Sequence, residues 1–309
     1  LREGTIAEKD RFGNLRVMQH DIGESELPDA LLSSANLERA KMSGAMAIQA
    51  GFTDAIMRNC KLTRANLRSA KLTGANLENA DLSGCTLAGA DLSGCILVGA
   101  QMSSTILDGA DMTGALFAAP TADPEGSLIE LLNAHSRWAE TDGREGKPAD
   151  FTGMDLRELK SLAHRPLTAL IAPGAMLYGL DLEGASLQGS NFAGTDLRAA
   201  RQGSADLRGA NLSGAKLSNA DLRDALLGPL LISGQRLLPA RLDGAVARYA
   251  DFRGADMRRA KLSNLDLSYS NLIDADLRDC ELGGAILAGA KLPTMLGEGF
   301  SHNTAKGVA

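Results

Sequence analysis

The sequence predicts an all-β solenoid, a coil of five-residue units in two blocks interrupted by a short amphipathic α-helix. Three observations predict it. An apolar residue, mostly Leu, recurs at every fifth position: Leu32, Leu37, Met42, Ala47, Phe52, Met57, Leu62, Leu67, Leu72, Leu77, and on to Phe117. The rhythm resumes at Leu177, Leu182, Leu187, Phe192 and Leu197, then runs from Leu207 to Leu292. A small residue precedes most of them by two positions, as at Ala35, Ala40, Ala65, Ala70, Ala75 and Ala80, with Cys60, Cys85 and Cys95 in the same slot. Between the blocks, prolines bracket a stretch that changes to helical spacing.

Period five excludes both regular elements. Five residues of α-helix drift by about 140° around the axis, so the leucine stripe would wander. A flat strand flips faces at every residue, so an odd period sends successive leucines to opposite sides. A chain that bends inward once per unit keeps them together. Four corners then close a square coil of about 20 residues, and successive coils stack about 4.8 Å apart through backbone hydrogen bonds.

Each segment follows from this pattern. Residues 1–29 lack the repeat and read as an N-terminal cap, with a short strand around Leu15-Arg16-Val17. Residues 30–119 form the first block. Residues 120–148 interrupt it: Pro120 and Pro124 cannot donate to a ladder. Ser127 to Glu140 then space Leu128, Leu131, Leu132, His135 and Trp138 along one helical face, with Gly143 as the stop. That face is expected to cover one flank of the coil or the groove between the blocks. Residues 149–294 form the second block. Phe151 and Leu156 stand one residue out of frame with Leu162 onward, which predicts a bulge around Leu159-Lys160. Residues 295–309 form a C-terminal cap or tail, in which Met295, Leu296 and Phe300 seal the last coil or meet a second subunit.

Composition narrows the function. The 309 residues carry a net charge of −6, and aromatics make up only 4% of them. Direct binding to nucleic acid is disfavoured, since the net charge is acidic. No apolar run is long enough to span a membrane. No charged-then-apolar leader opens the chain, so the expectation is a cytoplasmic protein, with the native N-terminus left open by a start at Leu1. None of the four cysteines forms a CxxC pair, so no metal site is expected. The histidines, His20, His135, His164 and His302, lie outside the regular repeats, and no catalytic motif accompanies them. No enzyme activity, cofactor or metal is therefore expected.

Ala65-Asn66-Leu67, Ala75-Asn76-Leu77, Ala90-Asp91-Leu92, Ala205-Asp206-Leu207, Ala210-Asn211-Leu212 and Ala275-Asp276-Leu277 resemble the Ala-(Asp/Asn)-Leu-x-x pattern of the pentapeptide-repeat family. The resemblance implies a right-handed quadrilateral β-helix. It also implies an alternative function, because some members protect or inhibit DNA gyrase by imitating the shape and charge of duplex DNA. Here acidic and basic residues nearly balance within each block. The excess acid lies in residues 1–29 and 120–148, which argues against imitation of phosphate charge.

The leading expectation is a non-catalytic scaffold or protein-interaction module, with topoisomerase binding second. If side chains four units apart stack, Leu226, Val246 and Ile286 share one wall of the second block with Tyr249 and Tyr269. Ile56, Ile96, Val98 and Leu116 share one wall of the first. Apolar patches of this kind mark interfaces, either with an unidentified protein partner or with a second copy through the apolar face or the C-terminal coil. The alternative is that the inserted helix or a terminal segment covers one of them. The same arithmetic gathers Arg198, Lys216, Arg236, Arg258, Arg259 and Arg278 beside Asp196, Asp256, Asp276 and Asp279, read as a solvated ion-pair ladder. Gln202 occupies a central slot, which predicts a local bulge or a buried amide.

Overall fold

The computed structural model describes residues 7–9, 15–17, 27, 29–33, 35–117 and 127–293. The chain divides into two compact units, Leu1–Ala119 and Pro120–Ala309. Within each, the backbone returns parallel to itself after one turn. In the first, Leu31 bridges Gly51, Asn36 bridges Ile56, Lys41 bridges Lys61 and Met46 bridges Asn66. A turn therefore takes four of the five-residue repeats and meets the next turn once in each of them.

The repeat Ala65–Ser69 shows why the pattern has its composition, because all five of its N–H groups find acceptors. Ala65 donates to the Leu62 carbonyl, closing a tight turn at 2.9 Å, and Asn66 donates back to Ala45 at 2.8 Å. Leu67 and Ser69 donate forward to Thr86 and Ala88 at 2.8 and 2.9 Å. The remaining amide, Arg68, donates to the Asn66 Oδ1 at 3.2 Å. An Asp or Asn just before the central leucine thus closes the corner, as such residues do in turns. The last residue of nearly every repeat has a positive φ while its predecessor does not, the signature of a type II turn. Glycine fills it often, but Asn79, Tyr249 and Tyr269 take it too.

The small and central residues point inward and are buried, forming one core in each unit. Leucine and alanine alternate there, which explains how so few aromatics suffice.

In the first unit, β1 (Ala7–Lys9) pairs antiparallel with β2 (Leu15–Val17). The rest of the expected N-terminal cap, and Met295, Leu296 and Phe300, lie outside the described residues.

The second unit carries three departures from regularity. The first is α1 (Ser127–Glu140), closed by Gly143, whose φ is 81° and whose amide donates to the Trp138 carbonyl at 2.8 Å. Leu132 is buried in the core of this unit, and Leu128 packs against that core. Arg165 Nη1 donates to Asn133 Oδ1 at 2.9 Å, and the Ala149 amide donates to His135 Nδ1 at 3.1 Å. These partners belong to the first turn of the coil, so the helix caps the coil's opening rather than a flank. An uncapped turn would leave its leucines in water. Pro166 suits the same end. It stands where other turns donate backward, and it has no N–H to leave unpaired. Leu131 corrects the predicted packing face: it is 39% exposed, because Leu128, Leu132 and His135 complete the stripe without it.

The second departure is one extra residue. Asp150 bridges Ile171 and Asp155 bridges Met176, each one position beyond the regular spacing, which Ser161–Asp181 restores. The extra residue sits in a 3-10 turn, Arg157–Leu159, with Lys160 at φ 55°.

The third is a hairpin that the sequence pattern conceals. Asn191 bridges Asn211, four repeats on, but Asn211 bridges Arg241, six repeats on. The two extra repeat lengths hold β3 (Leu230–Ser233) and β4 (Arg236–Leu238), paired antiparallel with a bulge between Leu231 and Ser233. Because the insertion is a whole multiple of the repeat, the leucine phase survives it.

Candidate protein-interaction surface

The hairpin redraws the walls of the second unit. Leu226 bridges Asp256, while Val246 bridges Asp266 and Asp266 bridges Ile286. Leu226 therefore stands on a different ladder from Val246 and Ile286, and the wall predicted from uniform four-repeat turns divides. The insertion shifts everything before it by two repeats relative to everything after it.

The tyrosines remain together. Tyr249 and Tyr269 stack with ring centroids 5.0 Å apart and planes 4° from parallel. Both follow central residues on the ladder of Val246 and Ile286. Tyr269 lies 57% exposed over Gly289, where an added Cβ would fall 2.5 Å from its Cδ1. Glycine at 289 leaves room for the ring.

In the first unit Ile56, Asn76, Ile96 and Leu116 do form one ladder. Its members differ in exposure: Ile96 is buried, and Ile56, Val98 and Leu116 are half-buried. Ile96 therefore offers little to a partner, contrary to its predicted place on the surface.

The charged wall also divides. Arg198 and Lys216 belong to the ladder of Val246, Arg236 lies on β4, and Arg258 and Arg278 lie on the ladder of Leu226. Most of these arginines share a local motif that Arg236 and Arg259 lack. Arg157, Arg198, Arg208, Arg223, Arg253, Arg258 and Arg278 each clasp the Asp two residues earlier. Arg223, for example, places Nε 2.8 Å and Nη2 2.6 Å from the Asp221 oxygens. Hydrogen bonds from these arginine side chains hold Asp221, Asp256 and Asp276 below the usual carboxylate range.

The ladder of Leu226 has a missing rung. Asp206–Arg208 precedes it and Asp256–Arg258 follows it, but Leu226 and Gly228 stand between. The gap opens a cleft of about 750 Å³ lined by Arg208, Arg258, Arg259 and Arg278, with Leu226, Gly228 and Pro229 among its other residues. Pro229 leads directly into β3.

Sequence reasoning missed the hairpin and hence this neighbourhood. Leu230 and Leu238 fold back on the coil against Gly209. Leu231, Ile232 and Leu237 face outward, 60%, 51% and 41% exposed. Pro229 and Pro239 bracket the segment, and Gln235 fills a slot that elsewhere mostly holds a small or apolar residue; these were its signals in the sequence.

The remaining polar core groups are structural. Cys60, Cys85, Cys95 and Cys280 each donate from Sγ to a central-residue carbonyl one turn back, at 2.6–2.9 Å. Thr105 and Thr195 use their hydroxyls in the same way. Burial pushes the Cys60 and Cys280 thiols up to about 12 and Cys85 to about 11, so these three stay protonated at neutral pH. Gln202 is buried without a bulge. Its amide continues the ladder at 2.7 Å, yet neither side-chain polar atom has a protein partner. His164 leans over Gly184, and His135 is fully buried on the coil-facing side of α1. Among the described residues, no group of three or more His, Cys, Asp or Glu is placed to hold a metal ion, and no helix is long and apolar enough to cross a membrane.

No curated protein matches the chain. Solved structures similar to it include HetL, a pentapeptide repeat protein involved in heterocyst differentiation regulation from the cyanobacterium Nostoc sp. strain PCC 7120. It is 26% identical over 88% of this chain and 78% of its own, with a TM-score of 0.25. QnrB1, a plasmid-mediated fluoroquinolone resistance protein, is 14% identical over 88% of this chain and 94% of its own, with a TM-score of 0.34. Rfr23 from the cyanobacterium Cyanothece 51142 is 27% identical over 37% of this chain and 64% of its own, with a TM-score of 0.19. At these TM-scores the superpositions carry no argument about this chain. The family model described as pentapeptide repeats matches in 8 copies, over residues 25–64, 60–97, 174–201, 204–227, 233–264 and 256–292. With the five-residue corner and the four-repeat turn observed directly, and with that match spanning more than half of its length, the chain belongs to the pentapeptide-repeat family.

Proposed function

We propose that this chain is a non-catalytic protein-interaction module. Its backbone is a right-handed square β-helix in two blocks, 30–119 and 149–294, and the walls of that coil are its working surfaces. The observation that carries the reading is the wall of Val246, Tyr249, Tyr269 and Ile286. Val246 and Ile286 occupy the outward slot where, in many repeats, an Asp or Asn accepts the amide two residues on, so each forgoes a hydrogen bond worth about 1 kcal/mol. Tyr249 and Tyr269 hold positive φ angles of 58° and 60°, which are uncommon for bulky residues. Both choices cost stability, and a docked partner would supply a reason for keeping them.

The test is affinity capture from lysate with the full chain and with the Tyr249→Ser/Tyr269→Ser variant, alongside size-exclusion chromatography of both. The reading expects the variant to lose a partner or a dimer while its circular dichroism is unchanged. Unchanged capture together with unchanged oligomeric state removes this wall as an interface. A topoisomerase as the main captured protein, with inhibition or protection in a gyrase supercoiling assay, would instead favour DNA mimicry.

A further inference from the structure

We infer that the β3–β4 hairpin and the adjoining arginine-lined cleft form a second docking site, one that takes an extended, acidic polypeptide segment. The hairpin is a two-stranded sheet, so among the described residues each strand pairs on one side only. An open strand edge is a template for another strand. Its inward residues, Leu230 and Leu238, are committed to the coil at Gly209, and its outward residues, Leu231 and Leu237, pair across the strands into solvent. Exposing three aliphatic side chains on so short a hairpin is a costly way to build a mere connection.

Charge selects the occupant. The segment from Pro229 to Pro239 contains Arg236 and no acidic residue. The cleft beside it is lined by four arginines against two aspartates, Asp256 and Asp279, within a chain of net charge −6. Asp206 and Asp276 hold Arg208 and Arg278 from outside that lining, and the Arg208, Arg258 and Arg278 side chains remain 42%, 50% and 62% exposed. Clasped in this way, the guanidinium forks are pre-organised and keep donors free for a second carboxylate. A second copy of the chain fits poorly, because a two-fold contact would set this basic face against itself. Nucleic acid fits poorly as well, since the exposed hairpin residues Leu231, Ile232 and Leu237 are aliphatic and offer no aromatic face for a base to stack on. A strand added to the hairpin edge would alternate its side chains, apolar ones onto Leu231 and Leu237 and acidic ones toward the cleft.

The site is separate from the tyrosine wall, so its failure leaves the proposed function standing. The test uses the full chain and a short fluorescein-labelled peptide alternating valine and glutamate, read by fluorescence anisotropy, against the same peptide with lysine for glutamate. The valine–glutamate peptide is expected to bind and the lysine peptide not to bind. Binding should weaken by about ten-fold or more in Leu231→Ser/Leu237→Ser and in Arg258→Gln/Arg278→Gln. It should persist in Tyr249→Ser/Tyr269→Ser, with circular dichroism unchanged throughout. No binding of the glutamate peptide, equal binding of both peptides, or indifference to both hairpin and arginine variants overturns the inference. So does a concentration-dependent dimer that Leu231→Ser/Leu237→Ser abolishes.

Discussion

Leu230 seats directly on Gly209: a Cβ added at 209 would lie 2.8 Å from the Leu230 Cβ and 3.2 Å from the Leu238 carbonyl oxygen. The glycine is the socket that holds the hairpin to the coil. Gly209→Ala should therefore displace the hairpin, whereas Gly214→Ala should not, because open space surrounds Gly214. Both residues have a positive φ, so both variants share a conformational cost of about 1–2 kcal/mol. The difference between them isolates the contact. Hydrogen exchange of residues 230–238 should accelerate in the first variant only; equal exchange in both would mean that Gly209 does not seat the hairpin.

The stacked tyrosines should contribute little to folding. A double-mutant cycle on Tyr249→Ser and Tyr269→Ser is expected to give a coupling of about 0.5–1.5 kcal/mol by chemical denaturation. A much larger coupling would make the pair a structural clamp rather than a presented surface.

Gln202 should be a point of weakness. Replacing a buried, unpartnered amide by the leucine that neighbouring central slots carry removes a desolvation cost of about 1–3 kcal/mol. Gln202→Leu should therefore raise the thermal midpoint, and a fall would mean that the amide has partners in solution.

Acid should loosen the helical cap before it attacks the coil. Burial lowers the His135 pKa, and its Nδ1 accepts from the Ala149 amide, so the folded form prefers neutral imidazole. The undocked helix binds the proton more readily. Cap stability is then fully present above the ordinary histidine value of about 6.5 and is lost as pH falls from there toward the depressed folded value. Asp221, Asp256 and Asp276, each clasped by an arginine, behave as depressed carboxylates. Their contribution is present above about 3.9 and disappears only as pH falls through their lower folded values. Hydrogen exchange in Ser127–Glu140, taken relative to the intrinsic rate at each pH, should rise between about pH 7 and pH 5 while the coil amides stay protected. His135→Gln should flatten that rise, and an unchanged pH profile in the variant would remove His135 as its cause.

The sequence makes the coil legible because each central leucine, small residue and corner Asp or Asn answers a local demand that repeats at every fifth position. The extra residue near Lys160 is legible for the same reason, since a slip of one breaks the phase. The hairpin is not, because an insertion of two whole repeat lengths leaves Ile232 and Leu237 in phase with the buried leucines although both are exposed. That concealment misplaces Leu226 and the arginines, while Tyr249 and Tyr269, both beyond the insertion, keep their predicted neighbour. Leu131 fails for a different reason. Helical spacing defines a stripe but not its width, and the end of the coil accepts only Leu128, Leu132 and His135.

The register across the hairpin tests the account most directly. Asp221 bridges Asp251, and the Asp224 amide donates to the Arg253 carbonyl at 2.9 Å, so residues 223 and 253 lie on adjacent rungs. In a Cys280→Ala background, Arg223→Cys with Arg253→Cys should form a disulfide under mild oxidation, since adjacent rungs bring Cα atoms within about 4.4–6.8 Å. Arg223→Cys with Asp243→Cys should not. A crosslink in the second pair and none in the first would mean that the regular four-repeat turn runs unbroken through Leu230–Leu238, and the hairpin with its docking site would not exist.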